Sequence, residues 1–317
     1  FKAVNLLLDK GVAVRRVEKP GQGLLPGDFL VAAGSEAALA GIAKETGVDF
    51  VALETEFKQA AHEVKRLRTG MYQRYWGGNM DEGWTRWLLE HFRFPYTTLL
   101  DAEIKKGGLN EKYDVIILPE DSTAMITGER GAGPGRERGE GPRRPEEAYP
   151  PEYRSGLGTE GVKALRAFVE KGGTLVTLGG ASNFAIERFE LNLRNVVANR
   201  SSKEFWCPGS TLHVKFDNLH ALAYGMPAEG LALYLGGNPV FEVVPSQHNE
   251  RYEIIVRYTD RDLLQSGWLI GEGMIAKKAA MVAARYKEGQ IVLIGFRAQH
   301  RAQTHGTFKL LFNALIR

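Results

Sequence analysis

The chain has 317 residues, 44% of them hydrophobic and 25% charged, which is the composition of a folded protein long enough for one large α/β domain and a smaller unit. A formal net charge of +3 with no face-forming basic run excludes a nucleic-acid binder, and no apolar run approaches the ~20 residues that cross a bilayer. A single cysteine, Cys207, excludes an internal disulfide and leaves the compartment open.

Residues 1–66 read as a small α/β connecting unit. FKAVNLLLDKG has the pattern of a helix end and starts at Phe1 with no initiator Met, so the sequence reads as a piece of a longer polypeptide. Strand-like VAVRRVEK follows, then Gly/Pro-rich PGQGLLPGD, strand-like FLVAA and the helix SEAALAGIAKETG, with Ser35 as N-cap and Gly47 as stop. Polar EFKQAAHEVKRLR hands over to a larger domain, residues 67–317.

That domain opens with the strand RTGMYQRY, a glycine turn and the helix DEGWTRWLLEHF, in which Trp84, Trp87, Leu88 and His91 form one buried stripe at i, i+3, i+4 and i+7. PYTTLL and YDVIILPE are strands two and three, and DVIILP is the continuous apolar run of a parallel strand covered on both faces. The helix GTEGVKALRAFVEKGG, with Val162, Leu165, Phe168 and Val169 inward, leads to the fourth strand, TLVTL. This alternation predicts a doubly wound, mostly parallel α/β sheet. From about residue 204 come β-rich additions, STLHVKFD, LALYL, VFEVV and YEIIVRY, then the hairpin-like AAMVAARYKEGQIVLIGF. The last helix, FKLLFNALI, turns Phe308, Leu311, Phe312 and Leu315 to the core. Residues 128–151, nearly all Gly, Pro, Arg, Glu and Ala, cannot bury enough apolar surface to offset ordering and read as a mobile excursion; the sharper alternative is a lid or arginine-bearing arm.

In a parallel sheet, ligands bind outside the carboxyl ends of the strands, and four loops lie there. YWGGNMDEGW carries Tyr75, Trp76, Asn79, Asp81 and Glu82, whose acids either cap the following helix or meet a ligand. PEDS carries Glu120 and Asp121. RAQHRAQTHG is the densest polar stretch, with Arg297, Gln299, His300, Arg301, Gln303 and His305; it is either a ligand-orienting loop with His300 as base, or a polar network that locks the loop or docks another domain. The remaining loop, in TLVTLGGASNFAIERF, is a strand–turn–helix corner at Gly179, Gly180, Ala181 and Ser182. Its glycines permit a tight turn, and Ser182 is its only nucleophile, equally well explained as a helix N-cap. GASNF lacks the second glycine of G-x-S-x-G, and Cys207 lies outside any such corner and reads as a packed thiol. No His-Glu-x-x-His spacing and no GxGxxG at a strand–helix junction is present, so no metal or dinucleotide is expected.

The glycine corner and the late His-bearing loop resemble a class I glutamine amidotransferase-like domain. NMDEGWTRWLLEHFRFPYTTLLDAEI, KYDVIILPE, FWCPGS, AYGMP and GFRAQHRAQTHGTFKLLFNAL look like the C-terminal region of large bacterial zinc carboxypeptidase-like proteins, along essentially the whole chain. The resemblance implies a flavodoxin-like fold, a periplasmic or secreted location, and a parent peptidase domain that holds the zinc and is this unit's partner. The amidotransferase Cys is missing from every position between Gly179 and Ser182, and His300 is not followed by the usual Pro-Glu. The expected function is therefore a non-catalytic accessory domain that takes a peptide or glycan-like ligand or packs on the peptidase domain. The alternatives are a Ser-dependent hydrolase, with Ser182 as nucleophile, His300 as base and Glu120 or Asp121 orienting it, and a purely architectural spacer.

Overall fold

A computed structural model describes residues 1–75, 78–129, 150, 156–245 and 251–317. Trp76 and nearly all of the 128–151 excursion lie outside the described residues.

The N-terminal unit holds helix α1 (Lys2–Asp9), strands β1 (Val14–Val17) and β2 (Phe29–Val31), helix α2 (Glu36–Thr46) and strand β3 (Ala61–Glu63). Both β2 and β3 pair antiparallel with β1. The polar stretch expected to act only as a handover thus supplies a strand, β3. Gly47 ends α2 in the left-handed conformation (φ +70°) as expected, whereas Ser35 occupies the N-cap position without a side-chain cap bond.

The larger unit continues with β4 (Thr69–Tyr72), α3 (Met80–His91), β5 (Thr97–Leu99), α4 (Asp101–Lys106), β6 (Val115–Leu118), α5 (Thr123–Thr127), α6 (Gly158–Glu170), β7 (Thr174–Leu178) and α7 (Ala181–Arg188). Then come β8 (Leu193–Asn195), β9 (Gly209–Phe216), β10 (Glu229–Leu235), β11 (Phe241–Val243), β12 (Tyr252–Tyr258), β13 (Leu264–Ser266), α8 (Glu272–Ile275), β14 (Ala279–Tyr286), β15 (Gly289–Ile294) and α9 (Phe308–Phe312). Among the described residues, twelve of these strands form one sheet. Its parallel half runs β5-β4-β6-β7-β15, which in chain order is 2-1-3-4-5, the flavodoxin-like arrangement. The β-rich additions extend the same sheet antiparallel beyond β15, through β14, β12, β9 and β10.

Alternate residues of one parallel strand feed two cores. Val115 and Ile117 of β6 enter the core shared with α1, α3 and α9, while Ile116 and Leu118 enter the core under α4, α6 and α7. Helices on both faces explain why these strands read as unbroken apolar runs. The N-terminal unit shares the first core. The Phe1 ring lies 5.7 Å from Phe29 and 5.3 Å from Phe312. Arg16, buried, donates to Asn313 Oδ1 at 2.6 Å with its guanidinium 5.0–5.9 Å from the Phe1, Phe29 and Tyr224 rings. Burial lowers its pKa to about 10.

The predicted stripe of α3 is rotated. Leu88 is fully buried as expected, but it is joined by Thr85 and Leu89, while Trp84 and Trp87 are 39% and 46% exposed and His91 is exposed. The leucines fill the space over the sheet, leaving the bulkier rings outward. The α9 stripe is buried throughout, and of the four α6 residues expected to face inward Leu165, Phe168 and Val169 are buried while Val162 is half-buried.

Candidate functional site

The corner expected after β7 is present. Thr174–Leu178 is a fully buried strand, Gly179 turns with φ +51°, and α7 begins at Ala181 with Gly180 as its N-cap. A positive φ and a hydrogen bond from Gly179 N–H to Ile294 O at 2.7 Å place the turn hard against the end of β15. Ser182 is therefore not the N-cap. It is fully buried, and its Oγ lies 3.0 Å from Thr177 Oγ1, pointing back under the strand. Among the described residues no hydrogen bond joins Ser182 to His300, so the structure does not assemble the serine–histidine pair that the hydrolase alternative needs.

A carboxylate occupies the position where the corner's nucleophile would project. A Cβ built on Gly179 would stand 1.5 Å from Glu120 Oε2 and 2.9 Å from Asn238 Nδ2; one on Gly180 would stand 2.9 Å from Glu120 Oε1. Gly180 N–H donates to Glu120 Oε2 at 2.8 Å, and Asn238 Nδ2 lies 3.4 Å from the same oxygen. The other oxygen, Oε1, faces Arg297 Nη2 at 3.5 Å. The glycine pair thus serves two ends. It permits the turn, and it leaves room for an acid from the neighbouring strand end.

Around Glu120 the strand-end loops interlock. Asn79 caps α3 by accepting the Asp81 and Glu82 N–H groups at 3.0 and 3.2 Å, and its Nδ2 donates to Glu120 O at 3.0 Å. Asp81 accepts Glu120 N–H at 2.9 Å, and Gln299 Nε2 at 3.0 and 3.1 Å on its two oxygens. Gln299, buried, also donates to Thr85 Oγ1 at 3.1 Å. Arg297 reaches Asp81 only at 3.4 Å, and its Nε is buried without a partner among the described residues. Asp121 receives Arg74 Nε at 2.5 Å. Asp81 thus crosslinks the strand-end loops while Asn79 caps α3, and Glu120 remains at the surface of a cleft.

Three acids gathered round two guanidinium groups shape the electrostatics. Burial raises the Glu120 carboxyl from 4.5 to about 7; Arg297 and the Gly180 N–H oppose the rise, and Asp81 and Asp121 add to it. Asp121 is also raised by burial, against the pull of Arg74. An open cleft of about 480 Å³ lies over this cluster, lined by Arg74, Gly78, Asn79, Met80 and Glu120. Near neutral pH Glu120 both accepts and donates protons, so the cleft can bind hydrogen-bonding groups of either kind.

Of the residues expected from the sequence, Asn79, Asp81, Glu120, Asp121, Gly180, Arg297 and Gln299 come together here. Glu82 does not: it is buried on the far side of α3's first turn and held by Arg86 Nε at 3.1 Å. The late loop divides after Gln299. His300 is half-buried, its pKa lowered by burial and then by Arg297 and Arg301. Arg301 and His305 are exposed, the latter packing its ring 5.0 Å from Phe308. Two participants escaped the sequence reading. Arg74 follows β4 by two residues and so was within reach of the strand-end argument. Asn238 arrives from the turn after β10, and no sequence signal ties that turn to the corner. Cys207 is buried, with its thiol pKa raised by burial, as expected for a packed thiol. Among the described residues no group of three or more His, Cys, Asp or Glu side chains is placed to hold a metal ion. No helix among them is long and apolar enough to cross a membrane.

No family model and no curated protein matches the chain. Solved structures similar to it include a cytoplasmic protein from Salmonella typhimurium, at 11% identity over 78% of this chain and 98% of that one, with a TM-score of 0.46. A protein from Bacteroides uniformis described as ThuA-like is 13% identical over 83% of this chain and 94% of its own, with a TM-score of 0.41. A protein from Thermoplasma acidophilum described as belonging to a GMP synthase is 7% identical over 79% of this chain and 94% of its own, with a TM-score of 0.45.

Proposed function

We propose that this chain is a reversible ligand-binding domain on a flavodoxin-like frame, without acyl-transfer chemistry at its glycine corner. The observation that carries this reading is the Glu120 carboxylate in the space a side chain at residue 179 would need. It consumes the Gly180 N–H, a backbone donor of the kind that would stabilise an oxyanion, and Ser182 is sealed below the corner. The cleft over Glu120 is within the size range of small-molecule sites. On the sequence resemblance alone, the reading extends to a parent polypeptide outside the cytoplasm whose zinc peptidase domain packs against this unit.

The test joins two measurements. Fluorophosphonate labelling, weighed by intact mass beside a Ser182→Ala control, is expected to leave no adduct. Thermal-shift screening of amino acids, short peptides and saccharides is expected to find a ligand whose stabilising effect is lost in Glu120→Gln. A wild-type adduct that vanishes in Ser182→Ala would overturn the reading in favour of a serine hydrolase. One observation favours a second reading: a carboxyl titrating at about pH 7 beside a cleft suits an acid–base step on the bound ligand, with a rate that follows a single ionisation near neutrality.

A further inference from the structure

We infer that the ligand of this cleft is a saccharide, its hydroxyl groups on Glu120 and its apolar ring faces against the exposed rings of α3; this rests on the binding reading above. Met80, Trp84, Trp87 and His91 recur at i, i+4, i+7 and i+11, so they share one helical face about 16 Å long at 1.5 Å per residue. That face is open: Met80 is 76% exposed, and the two indoles are about half exposed. The Trp84 and Trp87 rings meet edge to face at 6.2 Å, and Trp87 stacks flat on His91 at 4.9 Å, so the rings brace one another as a platform.

Gly83 lies within the same face. A glycine inside a helix destabilises it relative to alanine, and here none of the described residues requires one, because an added Cβ would meet none of their atoms within 4 Å. Its effect is to keep the surface low between Met80 and Trp87. A body lying on the platform comes closer to the helix there. Met80 belongs both to the platform and to the lining of the cleft.

Size and chemistry choose the occupant. Two half-exposed indoles and a methionine offer roughly 300 Å² of apolar surface, taking about 200 Å² or more for each whole aromatic side chain. A stable protein interface needs about 800 Å² from each partner, so neither a second copy nor a folded partner is held by this face alone. A peptide that binds by adding a strand needs free backbone hydrogen bonds, and the backbone of α3 is already spent within the helix. A saccharide needs what is present: flat rings for its C–H faces, and a carboxyl that both accepts and donates for its hydroxyls.

The experiment screens the purified chain on an immobilised glycan array and titrates the strongest glycan by calorimetry at pH 7.5. Binding to at least one glycan class is expected, weakened at least tenfold both in the double variant Trp84→Ala/Trp87→Ala and in Glu120→Ala. Thermal unfolding of the double variant should remain a single cooperative transition, with a lower midpoint for the half-buried part of each ring. No glycan bound, or glycan binding untouched by loss of the indoles, overturns the inference. A peptide or amino acid whose binding needs Glu120 but not the indoles also overturns it and leaves the binding reading standing. If no ligand of any class depends on Glu120, both fall.

Discussion

Replacing Glu120 by Gln tests the electrostatics of the corner directly. A carboxyl raised from 4.5 to about 7 is disfavoured in its ionised form by about 3 kcal/mol, at about 1.4 kcal/mol per pH unit. The unfolded chain loses this proton first, so between the two values the folded state binds more protons and stability falls as pH rises. The loss begins near pH 4.5 and is complete above about pH 7, with roughly 2–3 kcal/mol of it between pH 5 and pH 8. Glutamine keeps the shape and cannot ionise. The stability of Glu120→Gln relative to wild type should therefore improve by about 2–3 kcal/mol between pH 5 and pH 8. Urea unfolding followed by circular dichroism at both pH values gives the difference, with the other titrating groups cancelling between the two proteins. An equal difference at pH 5 and pH 8, within about 0.5 kcal/mol, would mean that Glu120 titrates as an ordinary surface acid and that burial does not govern it.

Gly179→Ala meets a left-handed backbone, the Glu120 oxygen and, less closely, Asn238 Nδ2, and should lose at least about 2 kcal/mol; in a Glu120→Ala background the loss should fall to about 1 kcal/mol, the backbone part plus an Asn238 contact that a small amide shift relieves, as a double-mutant cycle by urea unfolding will report. Arg16→Met removes the buried bond to Asn313 and the contacts with three rings, and should cost about 2–3 kcal/mol and expose the 47–60 stretch to limited proteolysis. Ser182→Ala gives up only the Thr177 contact and should cost about 1 kcal/mol in urea unfolding while leaving ligand affinity unchanged in calorimetry.

How far the sequence reveals this molecule depends on what each signal encodes. Continuous apolar runs such as DVIILP specify a strand covered on both faces, and the parallel order follows from their alternation with helices. Glu120 and Asp121 were legible because the strand-end rule needs only the strand. The face of α3 was not. Apolar residues surround more than half of that helix, so the 84/87/88/91 set and the 85/88/89 set both satisfy helical spacing; the choice is made by the volume over the sheet. Asn238 was hidden because period-two patterning identifies β10 without saying where the following turn lands. The corner hid its meaning for another reason. A missing side chain in the sequence explains a turn as readily as it explains room for Glu120, and only three-dimensional proximity separates the two.

Strand β15 is hydrogen-bonded to β7 on one side and β14 on the other, and so joins the parallel and antiparallel halves of the sheet. During synthesis β7 must wait with an open edge until residues 289–294 emerge, long after its other neighbour, β6, and the strands β4 and β5 beyond it are made. An unpaired edge of that kind is a template for intermolecular pairing. Chains interrupted before Ile294 should therefore aggregate rather than accumulate as soluble half-sheets, and expression at low temperature or slow induction should raise the yield of the whole chain.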